Sequence, residues 1–155
     1  MPSIKLIPIR SDRDLPAGLL PEDDDSPTSE MARSILQMTL TMYENAGFTE
    51  PWGGYLATKN SNLVGTCGFK GKPQDGSVEI AYFTFPDFEG DGIATEMAQG
   101  LVDIATEADP SVLVTAQTLV DRDASHRILE KLGFTSGEII QHPEDGSVIE
   151  WRRRN

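Results

Sequence analysis

Residues 77–108 pass from a strand pattern through a glycine-bearing turn directly into a helical pattern, and this juncture limits the fold more than any other stretch. Ser77-Val78-Glu79-Ile80-Ala81-Tyr82-Phe83-Thr84-Phe85 is rich in β-branched and aromatic residues and stops at Pro86, which cannot donate to a sheet ladder. Gly90 and Gly92 follow. Ile93, Met97, Leu101, Ile104 and Ala108 then recur at helical spacing until Asp109-Pro110 closes the run. A strand feeding a helix in this way predicts a mixed α/β chain.

The flanking segments extend that pattern. Ile4 to Ile9 reads as an opening strand, and the loop from Ser11 to Pro27, with its acid cluster Glu22-Asp23-Asp24-Asp25, is expected to be mobile. Thr28 or Ser29 can cap a helix carrying Met31, Ile35, Met38, Met42 and Tyr43, stopped by Gly47. That methionine-rich stripe predicts a core-facing side, with the lining of a ligand cleft as the alternative. Tyr55 to Lys59 and Leu63 to Phe69 flank the polar turn Asn60-Ser61-Asn62, which predicts an antiparallel hairpin. Val112 to Ala116 is a short strand. Asp121 or Asp123 can cap a helix with Ile128, Leu129 and Leu132, ended by Gly133. Strands around 136–141 and 147–151 flank Glu144-Asp145-Gly146. The order is strand, helix, hairpin, strand, helix, strand, helix, hairpin, without internal repeats. The 155 residues fit a single domain, 1–155, able to bury roughly 70% of its unfolded surface.

The formal charge of −12 argues against a general nucleic-acid binder, since phosphate contacts need clustered Lys and Arg. The one basic run, Arg152-Arg153-Arg154, reads as a solvated tail. Acidity favours cationic partners, amines included. No leader pattern or spanning segment is seen, which predicts a soluble cytoplasmic protein without membrane partners. Cys67 is the sole cysteine, so no internal disulfide and no multi-cysteine metal site can form, and no metal is expected. It falls in a strand pattern that predicts burial. His126 and His142 have no partner spacing and read as surface residues.

The glycine turn carries the first chemical signal. Unpaired N–H groups and the positive end of the helix dipole meet there, a natural diphosphate cradle, although Gly-x-Gly also occurs in plain tight turns. It lacks the third glycine of a dinucleotide turn and the Gly-Lys-Ser/Thr ending of a nucleoside-triphosphate loop. Upstream, strand alternation puts Val78, Ile80 and Tyr82 on one face and Glu79 on the other with Ala81, Phe83 and Phe85.

Three segments in order, Val78-Glu79-Ile80-Ala81-Tyr82, Glu89-Gly90-Asp91-Gly92-Ile93-Ala94-Thr95-Glu96 and Ala124-Ser125-His126-Arg127-Ile128-Leu129-Glu130-Lys131-Leu132-Gly133-Phe134, closely resemble the GNAT superfamily of N-acetyltransferases, and within it the RimJ/RimL-like group. The resemblance runs from about Trp52 to Trp151. It implies a mixed, strongly twisted and splayed β-sheet of about seven strands flanked by helices, with acetyl-CoA as co-substrate in the gap. Phe83, Thr84 and Phe85 would offer backbone groups to the pantetheine arm and thioester. Residues Glu89, Gly90, Asp91, Gly92, Ile93, Ala94 and Thr95 would hold the pyrophosphate. They match the family's Gln/Arg-x-x-Gly-x-Gly/Ala pattern at Gly92 and Ala94 and depart from it at Glu89, while Asp91 adds a second negative charge.

Glu79 matches the family's general-base position, with a solvent-facing strand residue as the alternative. Its chemistry suits the role, because an amine must lose a proton to attack a thioester. Ser125 matches a serine proposed to protonate or steady the departing thiolate, and also suits a helix start. Arg122 replaces a common family Asn and could meet a CoA phosphate. Trp52 and Tyr55 fall where relatives build the acceptor side, and their rings would clamp an amine or simply pack in the core. The expected activity is acetyl transfer to a primary amine, an α-amine being the easier acceptor because it is more often neutral at pH 7 than a lysine. A small-molecule amine or antibiotic acetyltransferase and a non-catalytic CoA-binding module are the alternatives. The sequence leaves oligomeric state open, a homodimer included.

Overall fold

In the computed structural model, residues 4–10, 19, 23–121 and 123–153 are described. The strands are β1 (Lys5–Pro8), β2 (Gly54–Lys59), β3 (Asn62–Phe69), β4 (Ser77–Thr84), β5 (Leu113–Leu119), β6 (Thr135–His142) and β7 (Gly146–Arg153). They form one sheet in the order β1-β2-β3-β4-β5-β7-β6. The helices are α1 (Pro27–Ala46), α2 (Ile93–Ala108) and α3 (Asp123–Lys131). Only β4 and β5 pair in parallel, joined by the crossover through α2.

Local chemistry explains most boundaries. Asn60 and Ser61 both take positive φ, 53° and 68°, which closes the β2–β3 hairpin with the twist its strands require. The α2 helix buries Ile93, Met97, Ala98, Leu101, Val102 and Ala105 against the sheet. A Cβ on Gly65 would stand 3.1 Å from the Met97 side chain of α2 and 2.6 Å from the Phe83 carbonyl oxygen of β4. The central core joins these residues to Val78, Ile80, Val114, Ala116, Leu129 and Trp151.

Several sequence expectations are corrected. The first long helix starts at Pro27 with Ser26 as N-cap, accepting from the Ser29 N–H, whereas Thr28 or Ser29 was expected to cap it. Proline suits the first helical position because it has no N–H to leave unpaired. Ser29 instead donates its hydroxyl to Asp24 Oδ2 at 2.7 Å. Hydrogen bonds from Ser26 and Ser29 hold the Asp24 carboxyl below its ordinary range. The methionine stripe does not face the core: α1 buries Ser29, Ala32 and Leu36, while Met38 and Met42 are 66% and 50% exposed. His126 is not a surface residue. Its Nε2 lies 3.0 Å from the Leu119 carbonyl oxygen, and its ring sits 5.5 Å from that of Trp151. The expected basic tail is partly strand: Arg152 and Arg153 belong to β7, Arg152 pairs with Glu150, and Arg153 Nε donates to the Leu132 carbonyl. Most of the expected loop at 11–27, together with Arg122 and Arg154, lies outside the described residues.

Candidate active site

The β4 and β5 strands pair only from Ser77 opposite Leu113 to Ile80 opposite Ala116. Beyond that point each stays with its other neighbour. Ala81–Thr84 remains on Gly68–Gly65 of β3, and Gln117–Leu119 remains on Glu150–Val148 of β7. The sheet therefore splits. The resulting cleft, about 480 Å³, is lined among others by Glu79, Tyr82, Phe83, Gln117, Thr118 and Ser125.

Backbone direction in the split follows from two hydrogen bonds. Lys70 N–H donates to the Glu79 carbonyl and Phe85 N–H to the Val64 carbonyl, each at 2.9 Å. Such pairs alternate along an antiparallel ladder. Phe83 and Phe85 thus turn their backbone groups toward β3, and Tyr82 and Thr84 turn theirs toward the cleft. Of the three positions expected to offer backbone groups, Thr84 is the one so directed. Its Oγ1 is buried and makes no hydrogen bond among the described residues. The Phe85 side chain is fully buried.

Glu79 stands near the apex of the split. It is not enclosed by apolar neighbours as alternation suggested, because Ala81 and Phe83 on its face are exposed. Its closest charged partner is Lys70, with Nζ 2.7 Å from Oε2 in an ion pair too bent to count as a hydrogen bond. Ser125 is half-buried in the first turn of α3, whose N-terminal end borders the cleft. Tyr82 is a neutral group there, and burial pushes its phenol up to about 12.

The head of α2 lies beyond the C-terminal end of β4, after a single 3-10 turn at Pro86–Phe88. Gly90 and Gly92 have φ of 89° and 76°, a region other residues enter only with strain. A Cβ on either would meet nothing within 4 Å, so the space above the turn is open. Gly92 is the N-cap, with no side chain capping the helix. The N–H groups of Ile93, Ala94 and Thr95 are thus left without helical partners. Glu89 and Asp91 are exposed beside them. Unpartnered N–H groups at the helix head, beyond a strand whose cleft edge carries an orphaned buried hydroxyl, fit a long, phosphate-bearing ligand lying from α2 into the split.

Trp52 and Tyr55 both make packing contacts, and Tyr55 also lines a smaller cavity against α1. Trp52 meets Phe69 edge-on at 5.0 Å, and Tyr55 donates its hydroxyl to the Pro51 carbonyl at 2.7 Å. Burial pushes the Tyr55 phenol up to about 12. Cys67 is buried and its thiol is pushed well above the ordinary range, so it is no nucleophile. Among the described residues, no cluster of three or more His, Cys, Asp or Glu could hold a metal, and no helix is long and apolar enough to cross a membrane. Sequence reasoning missed Lys70, Gln117 and Asp145. Lys70 lies just past a strand end, and only the β3–β4 register brings it to Glu79.

A seven-stranded mixed sheet split beside an open helix head defines a class of acyl-group transferases, and comparison gives the family. The profile for the acetyltransferase (GNAT) domain matches residues 5–135, so this chain belongs to the GNAT acetyltransferases. It is 31% identical over 111 residues to the "uncharacterized N-acetyltransferase YjdG" of Bacillus subtilis (strain 168), covering 70% of this chain and 66% of that protein. The match thus spans just under two thirds of that relative's length. Among solved structures, a RimL ribosomal L7/L12 alpha-N-protein acetyltransferase in complex with coenzyme A superposes with a TM-score of 0.65 at 19% identity, covering 81% of this chain and 72% of that one. An acetyltransferase from Salmonella typhimurium that modifies the N-terminal serine of ribosomal protein L7/L12 gives a TM-score of 0.64 at 19% identity, covering 82% and 75%. At such identities the structural likeness establishes the fold.

Proposed function

We propose that this protein transfers the acetyl group of acetyl-CoA directly to a primary amine. The observation that carries this reading is the split between β4 and β5, with Glu79 near its apex and Ser125 on its wall. The diphosphate would lie on the N–H groups at residues 90–95, and the thioester arm along the Tyr82 to Thr84 edge. Arg122, outside the described residues, remains a candidate for a CoA phosphate.

In this reading the amine nitrogen attacks the thioester carbonyl carbon, forming the C–N bond. Glu79, directly or through water, takes the proton the nitrogen sheds. A backbone N–H of the cleft edge steadies the oxyanion until the C–S bond breaks. The sulfur leaves with that bond's electron pair, and Ser125 or water supplies its proton. Lys70 keeps the carboxylate oriented. An α-amine is the easier acceptor, because more of it is neutral at pH 7 than of a lysine side chain.

The test is release of free thiol from acetyl-CoA in the presence of an amine panel, with thermal unfolding followed alongside. The reading expects thiol release with at least one amine and stabilisation by CoA. Stabilisation without release would leave only a CoA-binding module. No stabilisation would remove the CoA site.

A further inference from the structure

A second cavity lies between α1 and the sheet, of about 270 Å³, and it adjoins the cleft: Lys70, Ala81, Tyr82 and Phe83 line both. Gly54, Gly68 and Ala81 oppose one another in register across β2, β3 and β4, and together they form a floor of small residues beneath it. From α1 the cavity is lined by Ile35, Thr39, Met42 and Tyr43. Met42 and Phe83, which line this cavity, are 50% and 44% exposed. Of the stripe expected to pack in the core, Ile35, Met42 and Tyr43 thus line a space beside the reaction cleft, while Met38 lies outside it.

The charge of this cavity is as telling as its shape. No acidic residue lines it among the described residues, and Lys70 is its only charged group. Tyr55, Tyr82 and Cys67, which also line it, are all neutral at pH 7. A second ammonium there would meet Lys70 and no carboxylate to pair it. The volume lies near the lower bound of roughly 300 Å³ for small-molecule sites, enough for one chain or ring.

We infer that this cavity receives the body of the acceptor, and that the acceptor is a monoamine with a large, uncharged, apolar substituent. This rests on the acetyl-transfer reading above. The class includes alkyl- and arylalkylamines and peptides beginning with a large apolar residue. It excludes polyamines and aminoglycosides, whose further charges would fall on apolar wall or on Lys70.

Thiol release from acetyl-CoA is measured with hexylamine, 2-phenylethylamine and a leucine-initiated peptide, against spermidine and a serine-initiated peptide. At least one of the first three should exceed both others about tenfold in kcat/KM. Activity confined to the small amines or to the peptide identifies the source, and either supports the inference. Equal or better use of spermidine or the serine peptide overturns it while leaving acetyl transfer standing.

If no amine is acetylated, the functional reading fails. The cavity is then judged by calorimetric titration of the protein with N-acetyl-2-phenylethylamine, where absence of saturable binding overturns the inference. Met42→Glu, at a half-exposed helix position, should weaken apolar acceptors or this probe about tenfold, with Met42→Gln as the milder variant if the first does not fold. Unchanged selectivity or probe affinity in the folded variant also overturns it.

Discussion

Lys70 Nζ stands 2.7 Å from Glu79 Oε2, and the same two residues are joined by a backbone hydrogen bond across the β3–β4 edge. The side chains are therefore held together by ladder register as well as by charge. Lys70 is half-exposed, so its ion pair contributes no more than about 1 kcal/mol to stability. Lys70→Met should shift the urea midpoint little and lower kcat several-fold. A double-mutant cycle with Glu79→Gln should show coupling in kcat/KM of about 1 kcal/mol. Additive effects would separate the two residues functionally.

Glu79→Gln alone removes the proposed base. With proton transfer contributing about 10²-fold or more, kcat at pH 7 should fall by that order and recover in part as rising pH supplies neutral amine. A pH–rate profile identical to the unmodified protein's would exclude the role.

At the head of α2, Gly92→Glu puts a side chain into the open space above a positive-φ position and a carboxylate against the helix N-terminus. The KM for acetyl-CoA should rise about tenfold. Gly76→Ala, at φ 81° in equally open space outside the cleft, should cost similar backbone strain and leave that KM unchanged. Conversely, Glu89→Gln with Asp91→Asn should lower the KM, more at low salt than at high.

Stability should fall on the alkaline side. The Tyr55 and Tyr82 phenols ionise near pH 12 when folded and near 10 when unfolded, so the folded state holds extra protons between those values. Their contribution is complete below about pH 10 and is lost as pH rises toward 12. Urea denaturation at pH 8 and pH 11 should differ by about 2 kcal/mol or more, and Tyr55→Phe should reduce the difference.

Inside the cleft wall, Trp151 Nε1 donates to Thr118 Oγ1 at 2.9 Å, both side chains being buried. Thr118→Val keeps the shape and strands the indole N–H, at a cost of about 1–3 kcal/mol in thermal or chemical denaturation. Loss below 0.5 kcal/mol would mean that water replaces the bond.

The parts of this architecture visible in the sequence are those set by neighbours along the chain. The Asn60-Ser61 turn, the α2 stripe with Gly92 at its head and the Glu79 strand each follow from periodicity and local backbone chemistry. What depends on partners far away was hidden. Periodicity marks the stripe Met31, Ile35, Met38, Met42 and Tyr43 on α1, and only the sheet it is laid on decides that Leu36 is buried while Met42 borders a cavity. Likewise the loop at 71–76 conceals the register that brings Lys70 to Glu79. The resemblance supplied the split sheet, and the end of β4–β5 pairing at Ile80 and Ala116, with β3 and β7 still attached, locates it.

That divergence also governs how a ligand is received. Gln117–Leu119 is fastened from its far side by β7, and Ala81–Thr84 from its far side by β3, so neither strand must be prised off the other to admit a guest. The gap is a preorganised wedge whose opening was settled when the chain folded. Association should then proceed without a slow unzipping step, leaving the cleft's selectivity to its walls.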